Sequence, residues 1–263
     1  MKPFNRRISI SIIVGVSLVA AGAASAQVSS INSAVLNARV FNDVPGAVGT
    51  YINNYPGSIS LGEAGISAPT GFANRDVWQF SNNSSTPYAF QDGNYFTASF
   101  SLQVTDTADS PRKEAGFLFS TVSNGDIQFI VNTDGHEVVQ FGGISFFSFN
   151  SSFGLSYNSG QTITLQMSYF KDGAGNNALQ FWANGLATPV FEFGPTVGSG
   201  ALDIGNGSTL GGYFQIVNDP NNLNNGGTAL FSNIAISSVP EPSLIALLGL
   251  GALPAVRLWR RRA

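Results

Sequence analysis

Three glutamates, Glu114, Glu137 and Glu192, stand in or beside stretches that read as strands. Glycoside hydrolysis needs two carboxyls several ångströms apart, one acting as acid and the other as nucleophile or base. One strand can supply them as an E-x-D-x-x-E run, and this chain has no such run. The three glutamates are isolated in sequence, so a hydrolytic pair would have to be assembled by folding from distant strands. His136 is the only histidine, and a Ser-His-Asp relay would have to use it. Its place beside Asp134-Gly135 reads instead as a solvated hairpin turn. One histidine and no cysteine cannot make a zinc site, and no phosphate-loop or dinucleotide fingerprint is present.

Calcium asks only for oxygens from carboxylates, amides and backbone carbonyls. The loops 106–109, 203–206 and 219–225 are rich in Asp and Asn, residues that ordinary turns favour equally. No cofactor is expected, with calcium the one metal left open and no ligands assigned to it. The run Arg112-Lys113-Glu114 reads as a solvated loop. In ISFFSFNSSF, the rings Phe146, Phe147, Phe149 and Phe153 do not alternate, which reads as a loop with exposed rings and the place for a binding surface. Most of the remaining phenylalanines fall on the inward side of candidate strands and read as core.

Strands are what must position these groups. Residues 95–105 alternate apolar and polar almost without a break, and residues 161–170 repeat the pattern, so each predicts a half-buried strand. Shorter candidates are 77–81, 115–122, 126–132, 137–141, 178–183, 190–193, 213–217 and 229–237. Asn124-Gly125, Asp134-Gly135, Asp172-Gly173 and Asn184-Gly185 supply turn residues that tolerate positive φ. With no helical period between the two ends, the pattern predicts an all-β chain, a single β-sandwich or jelly roll over residues 27–238.

Both ends are of a different character. Lys2, Arg6 and Arg7 precede an apolar run from residue 8 to 21, followed by small residues with Ala24 and Ala26 spaced as A-x-A before Gln27. That is the pattern of a secretory signal peptide over residues 1–26. An N-terminal anchor is the alternative, but the run is short against the roughly 20 residues of a membrane span. At the other end Val239, Pro240, Glu241 and Pro242 precede an apolar stretch over 244–256, closed by Arg257, Arg260, Arg261 and Arg262. Its length makes a marginal span by itself, extended by arginine snorkelling, with the arginines on the cytoplasmic side. Residues 27–239 hold five basic and fourteen acidic side chains, a formal net of −9 against −3 for the whole chain. That balance argues against nucleic acid, which requires a basic patch. The lack of cysteine removes disulfides and thiolate metal sites.

The ordered tail, VPEPS, apolar segment and terminal arginines over residues 239–263, resembles the PEP-CTERM sorting signal of bacterial exported proteins. The resemblance implies recognition and cleavage by an exosortase-like membrane enzyme, in bacteria that make exopolysaccharide. Two prolines would hold the peptide extended for that enzyme. More loosely, EAGFLFST at 114–121, GDIQFIVNTDG at 125–135 and QTITLQMSYFKDGAGNNALQFWANG at 161–185 resemble the strand rhythm of concanavalin A-like lectin and glucanase sandwiches.

The expectation is therefore a non-enzymatic surface or matrix protein, anchored by its tail before processing and afterwards in the envelope or outside the cell. Its expected partners are the secretion translocon, signal peptidase, the exosortase-like enzyme and the membrane. A carbohydrate-binding module taking extracellular polysaccharide, with or without calcium, is the alternative, and a hydrolase with dispersed carboxylates is the third.

Overall fold

Alternation over residues 96–104 buries Phe96, Ala98, Phe100, Leu102 and Val104 and turns Thr97, Ser99, Ser101 and Gln103 outward. This strand and its partners build one of two stacked antiparallel sheets. The structure, a computed structural model, describes residue 28, residues 30–193 and residues 204–239. Ala24, Ala26 and Gln27, the motif residues Pro240, Glu241 and Pro242, and Arg257, Arg260, Arg261 and Arg262 lie outside the described residues. So does the apolar segment at 244–256. Among the described residues no helix is long and apolar enough to cross a membrane.

The first sheet has seven strands. In spatial order they are β1 (Ser33–Asn42), β4 (Ala73–Ser81), β14 (Thr209–Val217), β6 (Lys113–Thr121), β7 (Gly125–Asn132), β8 (Val138–Phe141) and β9 (Phe147–Ser148). The second has eight, with β12 (Leu186–Ala187), β11 (Asn177–Ala183), β10 (Thr162–Lys171), β5 (Phe96–Asp106), β15 (Gly226–Ser238), β3 (Ser58–Ala64) and β2 (Val48–Asn54) in order, and β13 (Phe191–Phe193) pairing β11. The fold is an all-β jelly-roll sandwich, as the alternating pattern predicts. β14 and β15, the last strands among the described residues, insert between strands from much earlier in the chain, β15 between β5 and β3 and β14 between β6 and β4.

Apolar residues between the sheets form the core, and its centre is aromatic. Trp78 meets Phe100 and Phe231 edge-on, with centroids 6.1 and 5.6 Å apart, and Phe100 tilts against Phe117 at 4.1 Å. Such contacts add about 0.5–1.5 kcal/mol each beyond burial. Hairpin geometry follows the turn residues: Asn184 and Gly185 both have positive φ, 48° and 81°, which a two-residue primed turn requires.

Two local expectations change. The run at 144–153 is not an open loop. Ser148 caps the single-turn helix α1 (Phe149–Phe153), Phe149 is buried and stacked on Phe129 at 5.5 Å, and only Phe146 and Phe153 of the four rings are exposed. Nor is Arg112-Lys113-Glu114 a solvated loop, since Lys113 opens β6 and is fully buried. Its ammonium donates to Ala108 O at 2.5 Å. Desolvation lowers the pKa of that ammonium, while Asp106, Asp109 and Asp219 around it oppose the shift.

Candidate functional site

The outer face of the seven-stranded sheet carries what the sequence keeps apart. Backbone register places Arg75 opposite Gln215, Gln215 opposite Glu114, and Glu114 opposite Asn132. One polar row therefore crosses β4, β14, β6 and β7. Arg75 Nε donates to Gln215 Oε1 at 2.8 Å, and Gln215 Nε2 donates to Glu114 Oε2 at 3.4 Å. Asn132 Nδ2 donates to Glu137 Oε2 at 2.6 Å. Arg112 closes the network from the rim, with Nη1 to Glu114 at 3.2 Å, Nε to Asp134 at 2.9 Å and Nη2 to Glu137 at 3.9 Å.

Beside this row runs an apolar one. Val77, Leu118, Ile130, Val139 and Tyr213 form a small buried cluster separate from the sandwich core. Gly116 stands between Tyr213 and Ile130 in register, and a Cβ there would lie 2.7 Å from the Ile130 Cα, so only glycine lets the strands pair. The Tyr213 hydroxyl donates to Glu114 Oε2 at 3.3 Å, and Arg75 lies over its ring, 5.2 Å from the centroid. Burial, with the Glu114 charge adding to it, holds the Tyr213 phenol well above its ordinary pKa, so it stays a proton donor at any physiological pH. The network is open where Arg112 and Glu137 lie, with side chains 40% and 41% exposed.

Of the three isolated glutamates, folding brings Glu114 and Glu137 onto one guanidinium. Glu192 stays apart, exposed on β13 of the other sheet. His136 is half-buried with φ 52°, its Nδ1 3.1 Å from Tyr157 O, and among the described residues no relay forms around it. In the loops considered for calcium some oxygens are committed to protein hydrogen bonds, while Asp106 Oδ2 and Asn225 Oδ1 are buried without a partner among the described residues. Asp106 Oδ1 accepts from Ser159 Oγ at 2.5 Å, Asp219 Oδ1 accepts from Asn221 N, and the Asn225 amide nitrogen bridges Ile66 O and Val217 O. Asn206 Oδ1 accepts from Asp92 N, while Asp203 lies outside the described residues. Among the described residues no three acidic, histidine or cysteine side chains are grouped to hold a metal ion.

Sequence reading missed Arg75, Asn132, Tyr213 and Gln215. The signal was present in part: Tyr213 and Gln215 alternate with Phe214 and Ile216 on one strand, so they share the face opposite the core. Which strands flank them was not in the pattern. Val239, first residue of the expected sorting motif, is described. It donates its N–H to Tyr95 O at 3.0 Å and packs against the core.

No family model and no curated protein matches this sequence. Among solved structures, an alginate lyase from Pseudomonas aeruginosa superposes with a TM-score of 0.51 at 14% identity, over 72% of this chain and 86% of that one. An alginate lyase from Corynebacterium sp. gives 0.47 at 10% identity, over 81% and 96%. The carbohydrate-binding module CBM66 from Bacillus subtilis gives 0.40 at 11%, over 73% and 92%. At such identities only the fold is shared, and the first of these supports it. The expectation of a non-enzymatic chain rested on the two terminal signals and on the lack of any catalytic constellation in the sequence, its carboxylates isolated and its histidine single. It is corrected here, because the fold is one that a polysaccharide lyase uses and because strand order brings Glu114 and Glu137 together.

Proposed function

We infer that this is an exported, polysaccharide-handling protein that engages its polymer on the outer face of the seven-stranded sheet. The observation that carries the reading is the continuous network from Arg75 through Gln215, Glu114 and Arg112 to Glu137 and Asn132. Sugar hydroxyls both donate and accept, so they are matched by sites where acceptor carboxylates alternate with guanidinium and amide donors. Charge-assisted hydrogen bonds of this kind are about twice as strong as neutral ones. Export is supported by the N-terminal pattern ending at Ala24, Ala26 and Gln27, and processing by an exosortase-like enzyme is supported by the tail motif. Fold likeness to a polysaccharide lyase agrees with a sugar polymer as ligand and does not name the polymer.

A panel of acidic and neutral polysaccharides, with and without chelator, tests the reading. Glu137→Gln combined with Arg112→Gln should weaken binding of the retained polymer at least about ten-fold, one lost charged hydrogen bond being worth about 1.5–3 kcal/mol. Binding unchanged in that variant, or no polysaccharide retained by wild type, removes the idea. Cleavage of the bound chain is a second reading, favoured by two carboxyls sharing one guanidinium. It predicts new chain ends released from the retained polymer by wild type and not by Glu137→Gln.

A further inference from the structure

The opposite side of the sandwich has a different chemistry. Outward positions of β5, β10 and β11 carry Ser, Thr, Gln, Ala, Phe and Trp and no charged side chain, although the domain holds fourteen acids. Register sets two rows across these strands, Gln180–Ser168–Thr97 and Trp182–Gln166–Ser99. Thr97, Ser168, Phe170, Gln180, Trp182 and Val239 line a pocket of about 240 Å³. Its polar groups are partly committed: Thr97 and Ser168 hydroxyls bond each other at 2.6 Å, and Gln180 Nε2 donates to Thr188 O at 2.9 Å. By contrast, the Trp182 indole N–H and the Gln166 amide make no hydrogen bond to protein among the described residues.

We propose that this pocket is a second glycan site, separate from the charged face and independent of it, which takes an uncharged pyranose unit of a neutral polysaccharide. The apolar face of a pyranose lies on Trp182 or Phe170, while its hydroxyls take the indole N–H, the Gln166 amide and the hydroxyls of Thr97 and Ser168. Amphipathic rings of this type supply rigid contact area at a low entropy cost and keep a polar handle. Among the described residues no cation lines this pocket, which gives a uronate or sulfate nothing there to pair with, and the net −9 of residues 27–239 repels an acidic chain. A protein partner would call for a larger apolar patch than two rings. Val239, the residue before Pro240 in sequence, walls the pocket.

The test uses the full-length chain in a non-glycosidic detergent, titrated with neutral hexasaccharides of glucose, xylose and mannose. Wild type should bind at least one of them. Trp182→Ala should weaken that binding ten-fold or more, with Trp182→Phe recovering part of it, while thermal stability and retention of any polymer held by the charged face stay unchanged. Glu137→Gln with Arg112→Gln should leave hexasaccharide binding intact. If none of the hexasaccharides binds, or if Trp182→Ala binds as wild type does, the second site does not exist. Hexasaccharide binding lost only in the Glu137 and Arg112 variant assigns it to the charged face and overturns the proposal. Loss only in Trp182→Ala, with nothing held by the charged face, leaves this site standing and removes the other.

Discussion

Arg112 shows what a single residue does here: it converts three separate carboxylates into one site. Its pKa is raised by Asp134 and Glu114 against the opposing pull of desolvation. A different acid pair is less well compensated. Asp76 is fully buried on β4, opposite Phe214 of β14, with Oδ1 accepting from Arg39 N at 2.8 Å and Oδ2 without a partner among the described residues. Burial lifts its pKa to about 6, helped by the neighbouring Glu63 charge and opposed by the Arg39 N–H. The folded state therefore holds a proton that the unfolded chain releases nearer pH 4. The contribution of Asp76 to stability is most favourable below that range, falls as pH rises through about 4 to 6, and carries the full penalty above it. Asp76→Asn keeps the acceptor and removes the charge. At neutral pH it should raise the melting temperature, by at most about 3 kcal/mol of stability, and flatten the pH dependence between 4 and 6. A melting series across that range checks both, and an unaltered slope means Asp76 does not titrate there.

Among the elements, the strands differ in what they support. β15 lies in the middle of its sheet, and its Phe231 meets both Trp78 and Phe100 at the centre of the core. Phe231→Ala should cost about 3–5 kcal/mol and lower the denaturant midpoint sharply without changing the transition slope. Helix α1 is peripheral, five residues long and held by one buried ring. Ser148→Ala removes the side chain that accepts from Ser151 N at 3.2 Å, a change worth about 1 kcal/mol. Its effect should appear as faster amide exchange in α1 rather than as a shift in global unfolding. Equal effects of the two substitutions would contradict this ranking. Helix and strand periods both fail in ISFFSFNSSF because the segment turns a corner, so its rings point to different places in space.

For the molecule as a whole, the late position of β14 and β15 ties the chain up to Val239 to the folded body. β15 is a central strand of its sheet, and Val239 just after it is still hydrogen-bonded to Tyr95. Replacing Pro240, Glu241 and Pro242 by alanines, just outside that strand, should leave folding and melting temperature unchanged. In the native host the uncleaved protein should then accumulate in the membrane, as read by mass spectrometry of its C-terminus. Normal processing of that variant refutes the sorting role. Sequence by itself determined the class of structure and the character of the ends, because a period of two, turn residues at regular intervals and a charged-apolar-small pattern are local properties. It did not show the first three strands: β1 and β2 lie at sheet edges with much of their surface exposed, and in β3, SISLGEA, small and polar residues are buried with the apolar ones, so no alternation stands out. Only the tertiary structure decided the site. Gln215 meets Glu114 across 101 positions of chain, and alternation says which face a side chain takes but not which strand will lie beside it.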